Sequence, residues 1–286
     1  ADREDKDQAL TEFDALLMSH IGFAVGNAAS SFLLGLTLGR LGTVPGDDLS
    51  QPYYRALNRL AAAFALCADS SMMLLGGDLK RRERLSARLG DVLSHLYLGS
   101  AALKRYHDLD YPQAVQPLVR WAMEENLFHA ERALAELLAN FPNRAFGCLL
   151  KTLVFPLGRR HRGPSDALDA EVAAILGRPA GDPALEALLA GCYRPQAEQD
   201  AVGALQHALQ LIDASRDARK RLQQALKDGS LQPAPGQDAI AAAIATGLLD
   251  GEAGQRLQAA EAARRRVIDV DDFAKEELKL GRGKVR

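Results

Sequence analysis

Two carboxylate–histidine pairs stand four residues apart, Asp91 with His95 and Glu125 with His129. On an α-helix the members of each pair share a face and reach one another. If the two helices were neighbours, four groups of metal-ligating type would meet. The helical di-iron pattern, however, is Glu-x-x-His, one residue shorter, and it draws on more ligands. The pairs therefore predict two local hydrogen bonds and no metal.

Two basic clusters offer a different chemistry. The first is Lys80, Arg81, Arg82 and Arg84 with Arg88. It opens a predicted helix, where cations oppose the dipole and call for an anionic partner. Asp69, a charge among apolar residues, is expected to pair with Arg84 or Arg88 as a structural lock. The second cluster is Arg159, Arg160 and Arg162 around His161. It suits either a phosphate of a nucleotide-bearing substrate or an acidic face of a neighbouring domain.

Complete catalytic signatures are missing from the sequence. There is no glycine-rich dinucleotide loop and no GxxxxGK[ST]. There is no GxSxG elbow, and no Cys/His spacing suited to zinc. No catalytic, cofactor-binding or metal-ligating residue is assigned. The chain reads as part of something larger.

The elements that carry these residues are helical. Ala and Leu dominate and aromatics are only 6% of the 286 residues, a bias that favours helices over sheets. A first helix is expected from Gln8 to Arg40, breaking near Gly22 or Gly26. Its stretch from Ile21 to Gly39 has no charge, and burial inside protein, with close packing at glycine, is preferred to a membrane span. A second helix starts near Gln51, capped by Ser50, and ends at Gly76-Gly77. Its apolar face includes Leu57, Leu60, Phe64, Cys67, Ser71 and Leu74.

A third helix carries Leu85, Leu89, Val92, Leu96, Gly99, Leu103 and Tyr106 in steps of three and four. A fourth, after Pro112, carries Met123, Leu127, Ala130, Leu134, Leu137 and Phe141. Trp121 and Phe128 form a second stripe on it, so it should touch partners on two sides. Short connections favour antiparallel neighbours, predicting an up-down four-helix bundle in a domain spanning 1–141. A smaller, irregular helical subdomain should follow over 142–286. Its helices are expected at Ala145–Phe155, Ala167–Leu176, Ala201–Lys227, Gln237–Thr246 and Asp250–Val267. Pro179 marks a loop, and the charged end from Asp272 is expected to fray.

The net charge of −2 argues against nucleic-acid binding by bulk charge. Cys67, Cys148 and Cys192 lie far apart and predict reduced, buried thiols in a cytoplasmic protein.

Several runs then combine in a fixed order. They are YYRALNR at 53–59, LLGGDLKRRERLSARLGDVLSHLY at 74–97, LKRY at 103–106 and NFPNR at 140–144. FPLGR at 155–159, PSDALD at 164–169 and IDVDDF at 268–273 follow, with HIG at 20–22 and SFLLGLT at 31–37 ahead of them. Together they resemble the C-terminal region of bacterial FadE-type acyl-CoA dehydrogenases. The resemblance spans nearly the whole chain and is weakest at about 177–250.

It implies part of an FAD-dependent enzyme that oxidises fatty acyl-CoA to trans-2-enoyl-CoA in β-oxidation. It also implies an upstream catalytic domain bearing the flavin and the glutamate base, a homodimer, and contact with the inner membrane. Glu124 and Glu125 fall outside the family's catalytic motif, so this segment alone is expected to be inactive. The other reading is a free-standing helical scaffold or interaction protein.

Overall fold

In a computed structural model of the chain, residues 3–178, 181–193 and 200–268 are described. The expected loop residue Pro179, most of the 268–273 motif and the end from Asp272 lie outside them. All regular structure among the described residues is helical: α1 (Arg3–Thr37), α2 (Gln51–Leu75), α3 (Glu83–Asp108), α4 (Gln116–Ala139), α5 (Arg144–Val154), α6 (Asp166–Leu176), α7 (Pro183–Leu189), α8 (Ala201–Ala214), α9 (Arg216–Asp228), α10 (Ala239–Ala245) and α11 (Gly251–Ile268). Short 3-10 turns at Gly76–Arg81 and Gln113–Val115 lead into α3 and α4.

The chain forms two compact units, Ala1–Gly177 and Arg178–Arg286. The first runs past the boundary expected at 141 because α5 packs on α1 and α4, and α6 packs on α4. Its core is the set of seams that step by three and four. Leu60, Cys67, Val92, Leu103, Met123, Leu127, Ala130, Leu134 and Leu137 are all buried, and Leu89 packs against them. Gly99 lets α3 approach Leu57 of α2 and Met123 of α4, since a β-carbon there would already be in tight contact with both. The second stripe of α4 also finds partners. The Trp121 indole donates to Asp169 on α6 at 2.6 Å, and Phe128 lies against Gly163.

Several local expectations need correction. The Ser50 hydroxyl does not cap α2. It is engaged by Asp47, whose carboxylate accepts the Ser50 N–H at 2.9 Å and its hydroxyl at 2.6 Å. Asp47 also accepts from the Tyr106 hydroxyl at 3.0 Å. Burial alone would raise the pKa of Asp47, but these hydrogen bonds override it and hold the carboxyl below its ordinary value. They tie the loop before α2 to α3.

Helix α1 is unbroken at Gly22 and Gly26, and both glycines face open space. Its C-terminal part is anchored. Ser31 is buried and donates to the Leu153 carbonyl at 3.4 Å, and Gly35 abuts Pro156. Farther back, Leu10, Phe13, Leu16, Leu17, Met18, Ile21, Phe23 and Val25 are 43–71% exposed. The burial expected over Ile21–Gly39 is met at Ser31, Gly35 and Gly39 but not at Ile21, Phe23 or Val25. By length and composition Gln8–Thr37 and Gln51–Arg81 would each suffice to cross a membrane. The second of these contributes the buried α2 seam to the core.

The second unit has its own core, Ala218, Leu222, Ala225, Leu231, Ile240, Ala243, Leu249 and Leu257 among its members. Asp200 caps α8 and Asp238 caps α10, each satisfying N–H groups a helix start leaves free. Gly229 ends α9 in the left-handed region, as C-terminal glycines do. The helix expected over Ala201–Lys227 is interrupted at Ser215. That serine is buried and returns its hydroxyl to the Ile212 carbonyl at 3.2 Å, a competing bond that weakens helix continuity.

Candidate functional site

Arg59 and Glu131 occupy apolar stripes, Arg59 beside Leu60 on α2 and Glu131 beside Ala130 on α4. Both side chains are almost wholly buried, Glu131 fully so. They face each other as an ion pair, Arg59 Nη2 donating to Glu131 Oε1. The other carboxylate oxygen accepts the backbone N–H groups of Arg160 and His161, both at 2.9 Å. A buried carboxylate is tolerated when its charge and lone pairs are met in this way. The bonds also pin the loop after α5 onto α4. Gly158 and Gly163 flank that loop at φ +74° and +79°, a conformation that suits glycine.

His161 closes the arrangement, its Nε2 3.9 Å from Glu131 Oε1. Burial pushes the imidazole below its ordinary pKa. Glu131 acts in the opposite direction, and Arg59 adds to the lowering.

In front of this pair lies a cavity of about 360 Å³. Its walls include Leu38, Pro52 and Ala56 with Arg40, Arg55, Arg59, Arg160 and His161. Gly39, at φ +75°, permits the approach that builds one wall, since a β-carbon there would fall 2.5 Å from the Arg55 carbonyl oxygen. Arg55 donates to the Gln51 side chain at 3.2 Å, while its buried Nε has no partner. No carboxylate among the described residues pairs with Arg40, Arg55 or Arg160. Of the expected basic patch, Arg160 lines this cavity. Arg159 and Arg162 are exposed and are not among its walls.

The first basic cluster forms a separate open groove of about 430 Å³, with Arg81, Arg82, Arg84 and Arg88 on its walls. Arg88 pairs with Glu136 of α4 at 3.7 Å. Asp69 pairs with neither Arg84 nor Arg88. It turns toward α1 and lies 3.7 Å from His20, because this side of α2 packs on α1.

The histidine pairs do meet, through their rings. His95 and His129 stack with centroids 5.1 Å apart. His129 bonds Glu125 at 2.8 Å as expected, whereas His95 takes Asn126 of α4 at 2.9 Å. Among the described residues no three His, Cys, Asp or Glu groups are placed to hold a metal ion. Of the thiols only Cys67 is buried; Cys148 and Cys192 are exposed, which corrects the expectation for those two. Burial pushes the Cys67 thiol up to about 12.

The residue runs noted above acquire their meaning from a comparison across the chain. Residues 1–273 match the family described as acyl-CoA dehydrogenase, C-terminal, bacterial type. The chain belongs to this family. No solved structure matches it.

A third cavity, in the second unit, measures about 330 Å³ and is lined by Ala204, His207, Leu211 and Arg266 among others. These cavities, of about 330 to 430 Å³, lie at the small end of ligand sites, roughly 300–1,000 Å³, for a dinucleotide as large as FAD. No residue of this domain is assigned to FAD, and no step of flavin chemistry is derived from it.

Of the first unit's central residues, Arg40, Arg55, Arg59 and Glu131 went unassigned at the sequence level. A signal was present for two. Glu131 falls four residues after Leu127 and three before Leu134, and Arg59 adjoins Leu60. A single charge inside an apolar stripe must find a buried partner.

Proposed function

We propose that this domain is the C-terminal part of an FAD-dependent, homodimeric, cytoplasmic acyl-CoA dehydrogenase that converts fatty acyl-CoA to trans-2-enoyl-CoA in β-oxidation. In that enzyme an upstream domain supplies the flavin and the base. This domain supports the fold and the substrate side of the upstream domain. The match over residues 1–273 to the C-terminal family of these dehydrogenases carries the proposal.

The surface of α1 supports it. From Leu16 onward α1 has no Asp, Glu, Lys or Arg, and a helical stretch apolar on most sides belongs in the interior of a larger body or in a membrane. Exposed apolar surface on this scale marks an interaction site. We assign the covering partner to the catalytic domain, with α1 as the element that docks on it.

The test uses the full-length protein. Purified with FAD, it should reduce an electron acceptor in the presence of palmitoyl-CoA. Leu16→Lys combined with Phe23→Lys should then lower bound FAD and melting temperature together. A full-length protein with neither flavin nor dehydrogenation would overturn the proposed activity. Unchanged FAD content and stability in the double variant would overturn the docking role of α1. Loss of flotation with anionic vesicles as the variant's only defect would assign α1 to a membrane instead.

A further inference from the structure

The arginine cavity of the first unit has chemistry that the Arg59–Glu131 pair does not use up. Four guanidinium groups line it: Arg40, Arg55, Arg59 and Arg160. Glu131 answers the charge of Arg59, and four cations less one carboxylate leaves three positive charges. His161 adds no fixed charge, because burial favours its neutral form. Like charges gathered along a concave, partly apolar wall create a field that draws anions in.

The side-chain types narrow the ligand. Every cation in the wall is arginine and none is lysine. Guanidinium is the planar, multi-donor group that binds phosphate through two hydrogen bonds at once. Arg55 brings a buried Nε with no partner, while Arg40 and Arg160 have no carboxylate partner among the described residues. Leu38, Pro52 and Ala56 supply apolar wall beside them. About 360 Å³ is in the range of small-molecule sites, roughly 300–1,000 Å³. The loop that bears Arg160 is held by Glu131 through two backbone bonds, so the site is organised without ligand.

We propose that Arg40, Arg55 and Arg160 form a binding site for the phosphate groups of a phosphorylated small molecule. Its occupant in the working enzyme is the coenzyme A moiety of the substrate. The identity of that occupant rests on the dehydrogenase reading given above, whereas the phosphate site itself does not.

Isothermal titration of the full-length holoenzyme with inorganic pyrophosphate, and separately with coenzyme A, tests both parts. Arg40→Ala with Arg160→Ala removes two exposed side chains and keeps the buried pair. It should weaken pyrophosphate and coenzyme A at least tenfold each. It should also flatten the salt dependence of binding, with circular dichroism unchanged. Arg40→Lys with Arg160→Lys should recover only part of the affinity, since the charge returns without the fork.

No pyrophosphate binding, or equal binding by wild type and the Ala variant, overturns the site. Should the Ala variant not fold, the Lys variant decides in its place, and wild-type affinity there overturns the site as well. Weakened pyrophosphate with unchanged coenzyme A overturns the coenzyme A assignment alone. A holoenzyme without dehydrogenase activity that still binds pyrophosphate through these arginines would refute the proposed function and leave the site standing.

Discussion

A carboxylate with no exposed surface must find its counter-charge and its donors inside the protein. Glu131 finds one guanidinium and two backbone N–H groups. Replacing it by Gln leaves Arg59 buried with its charge unanswered, which costs about 3–5 kcal/mol. Chemical denaturation of Glu131→Gln should show a loss of that size. A two-residue exchange, Arg59→Met with Glu131→Leu, should recover most of it, because buried pairs are often matched by apolar residues of similar volume. A Gln variant within about 1 kcal/mol of wild type, the ordinary worth of a surface pair, would show that water reaches the pair.

The residue scale is where the sequence was least legible. Arg160 stood out as part of a visible cluster. Arg40, Arg55 and Arg160 are 15 to 120 positions apart, and only the fold brings them to one wall. Asp69 was recognisable as a charge needing a partner, but its partner depended on which helix its face met.

Among the elements, α3 and α4 were read closely from periodicity, because each side chain of their seams recurs every three or four residues and one face is buried. The limits of α5 and α6 also came within a residue, since Asn143 and Ser165 cap them as local chemistry dictates. The start of the uncharged stretch of α1, around Ile21 to Val25, was misjudged for a physical reason. Apolar composition shows that a helix must be covered but not what covers it. The break at Ser215 was hidden because serine is compatible with a helix interior until its hydroxyl competes for a carbonyl.

At the turn between α1 and α2 the structure makes a sharper demand. Gly39 has positive φ and leaves no room for a β-carbon against the Arg55 backbone. Gly39→Ala should lose about 1–3 kcal/mol, the range for strain at such a position. It should also displace Arg55 and weaken anion binding. A Gly39→Ala protein with wild-type stability in thermal melts would mean that the turn relaxes at no cost.

The two units differ in what acid does to them. In the first, folding lowers the pKa of His161. Above its ordinary value of 6.5 the ring is neutral in both folded and unfolded chains, so it does not change stability. As pH falls below 6.5 the unfolded chain takes up a proton that the folded one resists, and stability declines down to the lowered folded pKa. In the second unit, hydrogen bonds from Arg264 and then Arg265 outweigh the effect of burial and, with the charge of Arg219, hold the Glu261 carboxyl at about 2. That stabilisation is complete above 4.5 and is lost as pH falls from 4.5 toward about 2. Partial exposure keeps it small, under about 1 kcal/mol.

Each unit has its own core, and separate cores permit separate cooperative opening. Hydrogen exchange followed by mass spectrometry should therefore show α2 and α4 losing protection between pH 7 and pH 5, while α9 and α11 keep theirs once intrinsic exchange rates are corrected. His161→Phe should flatten the first change, since the group that takes up the proton is gone. If α4 loses protection equally with and without His161, the acid sensitivity of the first unit lies elsewhere. If α11 follows α4 in both proteins, the two cores open as one.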